Sequence, residues 1–138
     1  MKTQKSGQEM SQIPNRKPIS VIVAGALGKM GSQVVNSVVK SDYCELVGVI
    51  DTTPGKEGED IGIELGLKDI ELPITSDFEG CLCLASQAVK NPLEDGRPVL
   101  VDFTHPSVVY EHTRAAIAYG VHPVIGTTGL TSKQIEDL

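Results

Sequence analysis

The sequence predicts an α/β fold, a parallel sheet with flanking helices. Three observations carry that expectation. A short apolar, β-branched run ends on Gly25, a helically spaced segment begins at Lys29, and a second apolar run ends on Asp51. The same strand–helix order then recurs towards the end of the chain. Strands alternating with helices form parallel sheets with crossover connections. In such sheets, ligands bind beyond the carboxyl ends of the strands.

The elements follow in order. Residues 1–17 (MKTQKSGQEMSQIPNRK) are polar and lack the apolar core of a secretory signal. They are expected to form a disordered tail before a domain over 18–138. Pro18 to Ala24 (PISVIVA) reads as a buried parallel strand. Lys29 to Lys40 places Met30, Val34, Val35, Val38 and Val39 at helical spacing. Its valines are poor helix formers, so packing must hold this helix. Glu45 to Asp51 (ELVGVID) is a second buried strand ending on an acid. Residues 52–71 read as a loop with one short helix around Ile61–Leu65. Pro73-Ile74-Thr75 suggests a short strand, Phe78 to Val89 reads as a helix, and Asn91 to Pro98 is a turn cluster.

Val99 to Thr104 (VLVDFT) is a clear strand, and Pro106 can open the next helix at its first turn. Ser107 to Tyr119 follows as a helix, with Val108, Val109, Ala115, Ala116 and Tyr119 sharing a face and Gly120 ending it. Val121 to Ile125 is another strand, and Gly126-Thr127-Thr128-Gly129 is its polar exit. Thr131 or Ser132 would cap a final helix of barely two turns, Ser132 to Leu138. That is below the ordinary helix length. The chain is therefore expected to be the front portion of a longer protein, its fold incomplete without a second domain.

Composition narrows the functional classes. The chain has 138 residues, 40% hydrophobic and 22% charged, which suits one globular domain. Its longest apolar runs are strand-sized, far short of the roughly 20 residues of a spanning helix, so no membrane role is expected. The net charge is −6 and the basic residues are scattered, which argues against nucleic acid. The three cysteines, Cys44, Cys81 and Cys83, make no disulfide framework and fit a reduced, cytoplasmic compartment. Cys81-x-Cys83 lacks a second ligand pair and reads as two buried small side chains.

The histidines form no metal set, and no metal is expected. His105 lies at the rim after a strand, His112 reads as a packing residue within a helix, and His122 begins a strand at the far end. Asp102, near a strand end, could orient a loop or neighbour and is given no proton-transfer role. No nucleophile–base pair is evident.

Three clusters at strand ends carry the candidate chemistry. Gly25, Gly28 and Gly31 are spaced three apart, and Leu27 stands where the common dinucleotide fingerprint has its second glycine. Glycine after the strand permits a tight turn, and a later glycine lets the helix pack on the strand. The free amides of the helix start, beside Lys29, can then face a pyrophosphate. The loop alone is equally a plain strand–helix turn. Asp51, twenty residues after Gly31, can accept both hydrogen bonds of an adenosine ribose diol. Its other reading is a turn or cap aspartate. A carboxylate repels a 2′-phosphate, so Asp51 favours NADH, while Lys29 or Lys56 leaves NADPH open. Gly126-Thr127-Thr128-Gly129 offers amides and hydroxyls for a carboxamide or carboxylate, or is a turn held by its own threonines.

Together these residues resemble the 4-hydroxy-tetrahydrodipicolinate reductase (dihydrodipicolinate reductase) family. The matching segments are VIVAGALGKMG at Val21 to Gly31, VDFTHP at Val101 to Pro106, and VIGTTGL at Val124 to Leu130. The resemblance covers residues 19–138 and implies a Rossmann-like nucleotide domain that binds NADH or NADPH. It implies that Gly25, Ala26, Leu27, Gly28, Lys29 and Met30 hold the pyrophosphate and that Asp51 holds the ribose. Phe103 and Thr104 would then sit near the nicotinamide, with Gly126, Thr127 and Thr128 beside the substrate cleft. The implied reaction reduces 4-hydroxy-tetrahydrodipicolinate to tetrahydrodipicolinate in lysine biosynthesis via diaminopimelate. The implied assembly is a homotetramer. The family's catalytic His-His-x-x-Lys segment has no match here, so no catalytic residue is expected in this chain, which is expected to be inactive alone. Two other readings stand beside it: another NAD(P)-dependent dehydrogenase sharing the glycine loop, and a non-catalytic NAD(H)-sensing module.

Overall fold

Five strands and five helices alternate along the chain in a computed structural model that describes residues 17–68, 70–91, 96–126 and 132–137. They are β1 (Ile19–Ala24), α1 (Lys29–Lys40), β2 (Cys44–Ile50), α2 (Ile61–Leu65) and β3 (Ile74–Thr75). There follow α3 (Phe78–Ala88), β4 (Val99–Asp102), α4 (Pro106–Ala118), β5 (His122–Ile125) and α5 (Ser132–Asp137). The strands form one sheet in the order β3-β2-β1-β4-β5, and every neighbouring pair is parallel. The expected α/β, Rossmann-like architecture is therefore the observed one.

The order reverses at β1. Successive strands step away to β2 and β3 on one side, and then to β4 and β5 on the other. The carboxyl ends of β1 and β4 thus flank a topological switch point, the place where open α/β sheets bind ligands.

Both faces of the sheet are covered, as its apolar strands require. Along β1, side chains alternate between two cores. Val21 and Val23 join Val35 and Val38 of α1, Val49, Ile61 and Ile74 on one face. Ile22 and Ala24 join Leu82 and Ala85 of α3, Leu100 of β4 and Ala116 of α4 on the other. The valine-rich α1 is held by that first core rather than by its intrinsic propensity. In β2 the register with β1 slips between Val21 and Ile22. Opposite Ile22 stands Gly48, where a side chain would collide with Cys81 Sγ at 2.5 Å. Burial pushes the Cys81 thiol up to about 11, but Cys81 and Cys83 are both only half-buried, where two buried side chains were expected.

Some boundaries differ from expectation. β4 stops at Asp102 rather than Thr104, because Asp102 turns its carboxylate back onto the Thr104 amide at 3.0 Å. α4 opens on Pro106, as its first-turn reading expected, and His105 accepts from the Ser107 amide to cap the helix. Val121 precedes β5 instead of joining it: its amide closes the end of α4 on Ala116 O at 2.8 Å. Val108 is exposed, one helical step away from buried Val109. Residues 1–16 of the tail expected over 1–17, part of the turn cluster (residues 92–95), and Thr131 as a helix cap lie outside the described residues.

Candidate functional site

The glycine loop crosses the switch point, and backbone contact explains its composition. Gly25 has φ +79°, and a Cβ there would stand 2.9 Å from Phe103 O in the exit of β4. Gly31 packs its bare Cα against the Gly25 carbonyl, so a Cβ would land on that oxygen, 2.7 Å from the carbonyl carbon. Gly28 is the N-cap of α1. Leu27, the residue that departs from the common fingerprint, packs its side chain against the first core. Only its amide faces the site, donating to Asp51 Oδ2 at 2.9 Å.

The amides of the loop itself are largely spent. Gly25 and Ala26 donate to Ile50 O at 2.8 and 3.2 Å, and Gly28 donates to Gly25 O at 3.0 Å. The start of α1 is different. The first amides of any helix lack intrahelical acceptors, and here no side chain caps them and no acidic residue lies in the first turn. By contrast Asp60, Asp77 and His105 cap α2, α3 and α4. The donors left for an anion are therefore the helix-start amides of Lys29, Met30 and Gly31, while within the expected Gly25 to Met30 cradle the amides of Gly25, Ala26, Leu27 and Gly28 are engaged. Lys29 and Met30 are both exposed there.

Asp51 sits immediately after β2. Its Oδ1 accepts from the Thr53 amide at 2.9 Å and from the Thr53 hydroxyl, and its Oδ2 holds Leu27 N. Burial pushes its carboxyl up, but the bonds from Thr53 and Leu27 outweigh that and hold it below its ordinary value of 3.8. The side chain is an ionised acceptor pinned between the ends of β1 and β2. It lines a cavity of about 280 Å³ together with Gly25, Thr52, Ser76, Thr104 and His112. Lys56, considered above for a 2′-phosphate, is instead held by Glu64 at 2.9 and 3.1 Å.

The exit of β4 carries a network that sequence reasoning did not assemble. Asp102 is 1% exposed. It accepts from the Thr104 amide and hydroxyl, and its Oδ2 lies 3.0 Å from His112 Nδ1. His112 stacks on Phe78, with ring centroids 3.9 Å apart and planes 12° from parallel. Burial pushes the Asp102 carboxyl up, while the bonds from His112 and Thr104 outweigh that and bring it below 3.8. His112 is thus more than a packing residue, since it joins helix α4 to the strand-end cleft. The signal in the sequence was an acid inside an apolar strand with a histidine ten residues later.

The structure brings most of the expected residues to one rim. Gly25, Asp51 and Thr104 share the cavity, and Phe103 touches Gly25 through its carbonyl. Gly126 donates to Asp102 O at 2.8 Å, and its missing side chain leaves room for the Phe103 ring. Thr127 and Thr128 lie outside the described residues. Among the described residues, no group of three metal-ligating side chains comes together, and no helix is long and apolar enough to cross a membrane.

Comparison with known proteins gives a consistent result. The family model described as "Dihydrodipicolinate reductase, N-terminus" matches residues 19–138. A 4-hydroxy-tetrahydrodipicolinate reductase of Synechococcus sp. (strain CC9902) is 66% identical over 121 residues, which are 88% of this chain and 43% of that protein. The protein of the same name from Synechococcus elongatus is 49% identical over 121 residues, 88% of this chain and 42% of its own length. The chain thus spans less than half the length of these relatives. Among solved structures, dipicolinate-bound dihydrodipicolinate reductase from Paenisporosarcina sp. TG-14 has TM-score 0.63 at 30% identity, covering 88% of this chain and 42% of that one. Aspartate semialdehyde dehydrogenase from Candida albicans, at TM-score 0.54 and 14% identity over 81% of this chain and 30% of its own, shares the fold.

Proposed function

The chain belongs to the dihydrodipicolinate reductase family through its N-terminal part, and from that premise we propose that it is the NAD(P)H-binding part of a 4-hydroxy-tetrahydrodipicolinate reductase. The reaction served is reduction of 4-hydroxy-tetrahydrodipicolinate to tetrahydrodipicolinate on the diaminopimelate route to lysine. The whole enzyme is read as a cytoplasmic homotetramer.

One observation carries the cofactor reading. An uncapped helix start and an ionised carboxylate stand side by side across the switch point, joined by the Leu27 amide. The residues fit a dinucleotide. The amides of Lys29, Met30 and Gly31 suit its pyrophosphate, and the helix dipole adds to their attraction. Gly25 and Gly31 let the backbone come close enough for the helix to face it. Asp51 suits the ribose through Oδ2, which keeps a lone pair beyond the one given to Leu27, while Oδ1 already accepts from both the amide and the hydroxyl of Thr53. Phe103, Thr104 and Gly126, with Thr127 and Thr128, would border the nicotinamide.

The nicotinamide supplies the hydride chemistry when bound. This chain's residues bind and orient, and none is assigned a proton transfer. NADH is the preferred cofactor. A 2′-phosphate beside Asp51 would meet a fixed anion, and no lysine or arginine among the described residues lines that cavity. Titration of the 138-residue chain with NADH, followed by nicotinamide fluorescence, tests the reading. Saturable binding, tighter than for NADPH at neutral pH, is the expected result. No binding of either nucleotide would overturn it.

A further inference from the structure

Read from the sequence, Asp51 can take both hydroxyls of a ribose; the bonds around it leave room for one. An ionised carboxylate offers about four acceptor positions on its two oxygens. Both positions on Oδ1 go to Thr53, whose amide donates at 2.9 Å and whose hydroxyl donates beside it. Oδ2 accepts from the Leu27 amide at 2.9 Å and keeps its other position. Because Leu27 belongs to the glycine loop, Oδ2 is the oxygen turned towards that loop and the start of α1. Against the upward push of burial, the Thr53 hydroxyl is the strongest of the pulls that keep this carboxyl ionised, and the Thr52 amide is the weakest.

The carboxylate is not free to turn and share its oxygens evenly. The Asp51 amide donates to Thr75 O at 3.0 Å, which ties its main chain to the end of β3. The Ile50 carbonyl before it is held by the amides of Gly25 and Ala26 at 2.8 and 3.2 Å. Rotation of the carboxylate would break bonds at both oxygens, to Thr53 on one side and Leu27 on the other. Thr53 is itself constrained. Pro54 follows it and biases its backbone towards the extended region, and its branched Cβ limits the rotamers of the hydroxyl.

We propose that Thr53 is a positioning residue that makes Asp51 grip a single hydroxyl of the adenosine ribose. This rests on the cofactor reading above. Oδ2, on the glycine-loop side, takes that hydroxyl in its remaining position. The second hydroxyl finds no acceptor on Asp51 and stays hydrated. The site therefore discriminates at one ribose position and tolerates loss of the hydroxyl at the other. Removing the Thr53 hydroxyl returns one position to Oδ1 and lets Asp51 hold both hydroxyls.

The test compares NADH with two analogues, one lacking the 2′-hydroxyl and one the 3′-hydroxyl of the adenosine ribose. Dissociation constants for the 138-residue chain are measured by calorimetry at neutral pH. In the wild type one analogue should bind about tenfold more weakly than NADH, the effect of one hydrogen bond to a charged group, and the other within about twofold. In Thr53→Val, which keeps the amide bond and loses the hydroxyl, both analogues should bind about tenfold more weakly than NADH. Thr53→Ser should restore the one-sided pattern. A merely structural role for Thr53 would lower the unfolding midpoint and leave that pattern unchanged. Equal losses for both analogues in the wild type, or a one-sided pattern that persists in Thr53→Val, would overturn the proposal. The wild-type comparison decides the matter even where the valine variant does not fold. NADH binding with no loss for either analogue would remove Asp51 from the ribose, and the role of Thr53 with it. Failure of NADH itself to bind would overturn the cofactor reading, whereas NADH binding with equal losses overturns only this inference.

Discussion

Replacing Gly31 with alanine sets two effects of opposite sign against each other. Gly31 lies in the first turn of α1, and in an unconstrained helix the change would stabilise by about 1 kcal/mol. Packing opposes it. The new Cβ would overlap Gly25 O, with Gly25 C at 2.7 Å and Ala26 Cα at 3.2 Å. All three are backbone atoms of the turn, so no side chain can rotate away. Overpacking costs roughly 1–3 kcal/mol, and a rigid neighbour argues for the upper end. The net loss should be about 2 kcal/mol, a fall of roughly 1 M in the urea midpoint. Gly66→Ala is the control: φ is +67° but nothing lies within 4 Å of the added atom. Strain alone should cost it about 1 kcal/mol. Urea unfolding followed by circular dichroism compares the two. If Gly31→Ala is as stable as the wild type or more so, close packing of helix on turn is not the reason for glycine there.

Two further outcomes follow from the strand-end carboxylates. Asp102→Ala removes a carboxylate that is 1% exposed and leaves the Thr104 amide and His112 Nδ1 without their acceptor, and should lower stability by about 3 kcal/mol in thermal unfolding. A loss below about 1 kcal/mol would mean that the network adds little beyond solvation. Asp51 and Asp102 are both held below 3.8 in the folded chain, so their stabilisation is present above that value and fades as pH falls through the folded pKa values. Stability should therefore decline below about pH 4, and Asp102→Asn should flatten the decline; an equal slope in the variant would remove Asp102 as a contributor.

Much of the fold was legible because its signals are local. Apolar runs ending on glycine or acid gave β1 and β2, helical spacing gave α1, and the short helix Ile61–Leu65 was read with its observed limits. The places where reading fell short depend on contacts between distant residues. β4 ends early because Asp102 captures Thr104, a competition between side chain and ladder that no periodicity reveals. Leu27 departs from the common glycine pattern, and only the fold shows why it suits the loop: its side chain packs against the first core and its amide holds Asp51. The free donors are the helix-start amides that the sequence reading named, and what it did not show is that Ile50 O and Gly25 O absorb the loop amides before them. The stacked Phe78–His112 pair spans α3 and α4, thirty-four residues apart in sequence, and only the fold joins them.

The central claim is that Asp51 and the start of α1 form one dinucleotide site. Calorimetric titration of NADH into wild type and Asp51→Asn tests it most directly. Asparagine keeps one acceptor oxygen for the local turn and loses the charge that the ribose would share. The account predicts an affinity loss of roughly thirtyfold, about 2 kcal/mol, together with a modest fall in unfolding midpoint because one of the Asp51 hydrogen bonds loses its acceptor. Equal NADH affinity in the folded variant would contradict it.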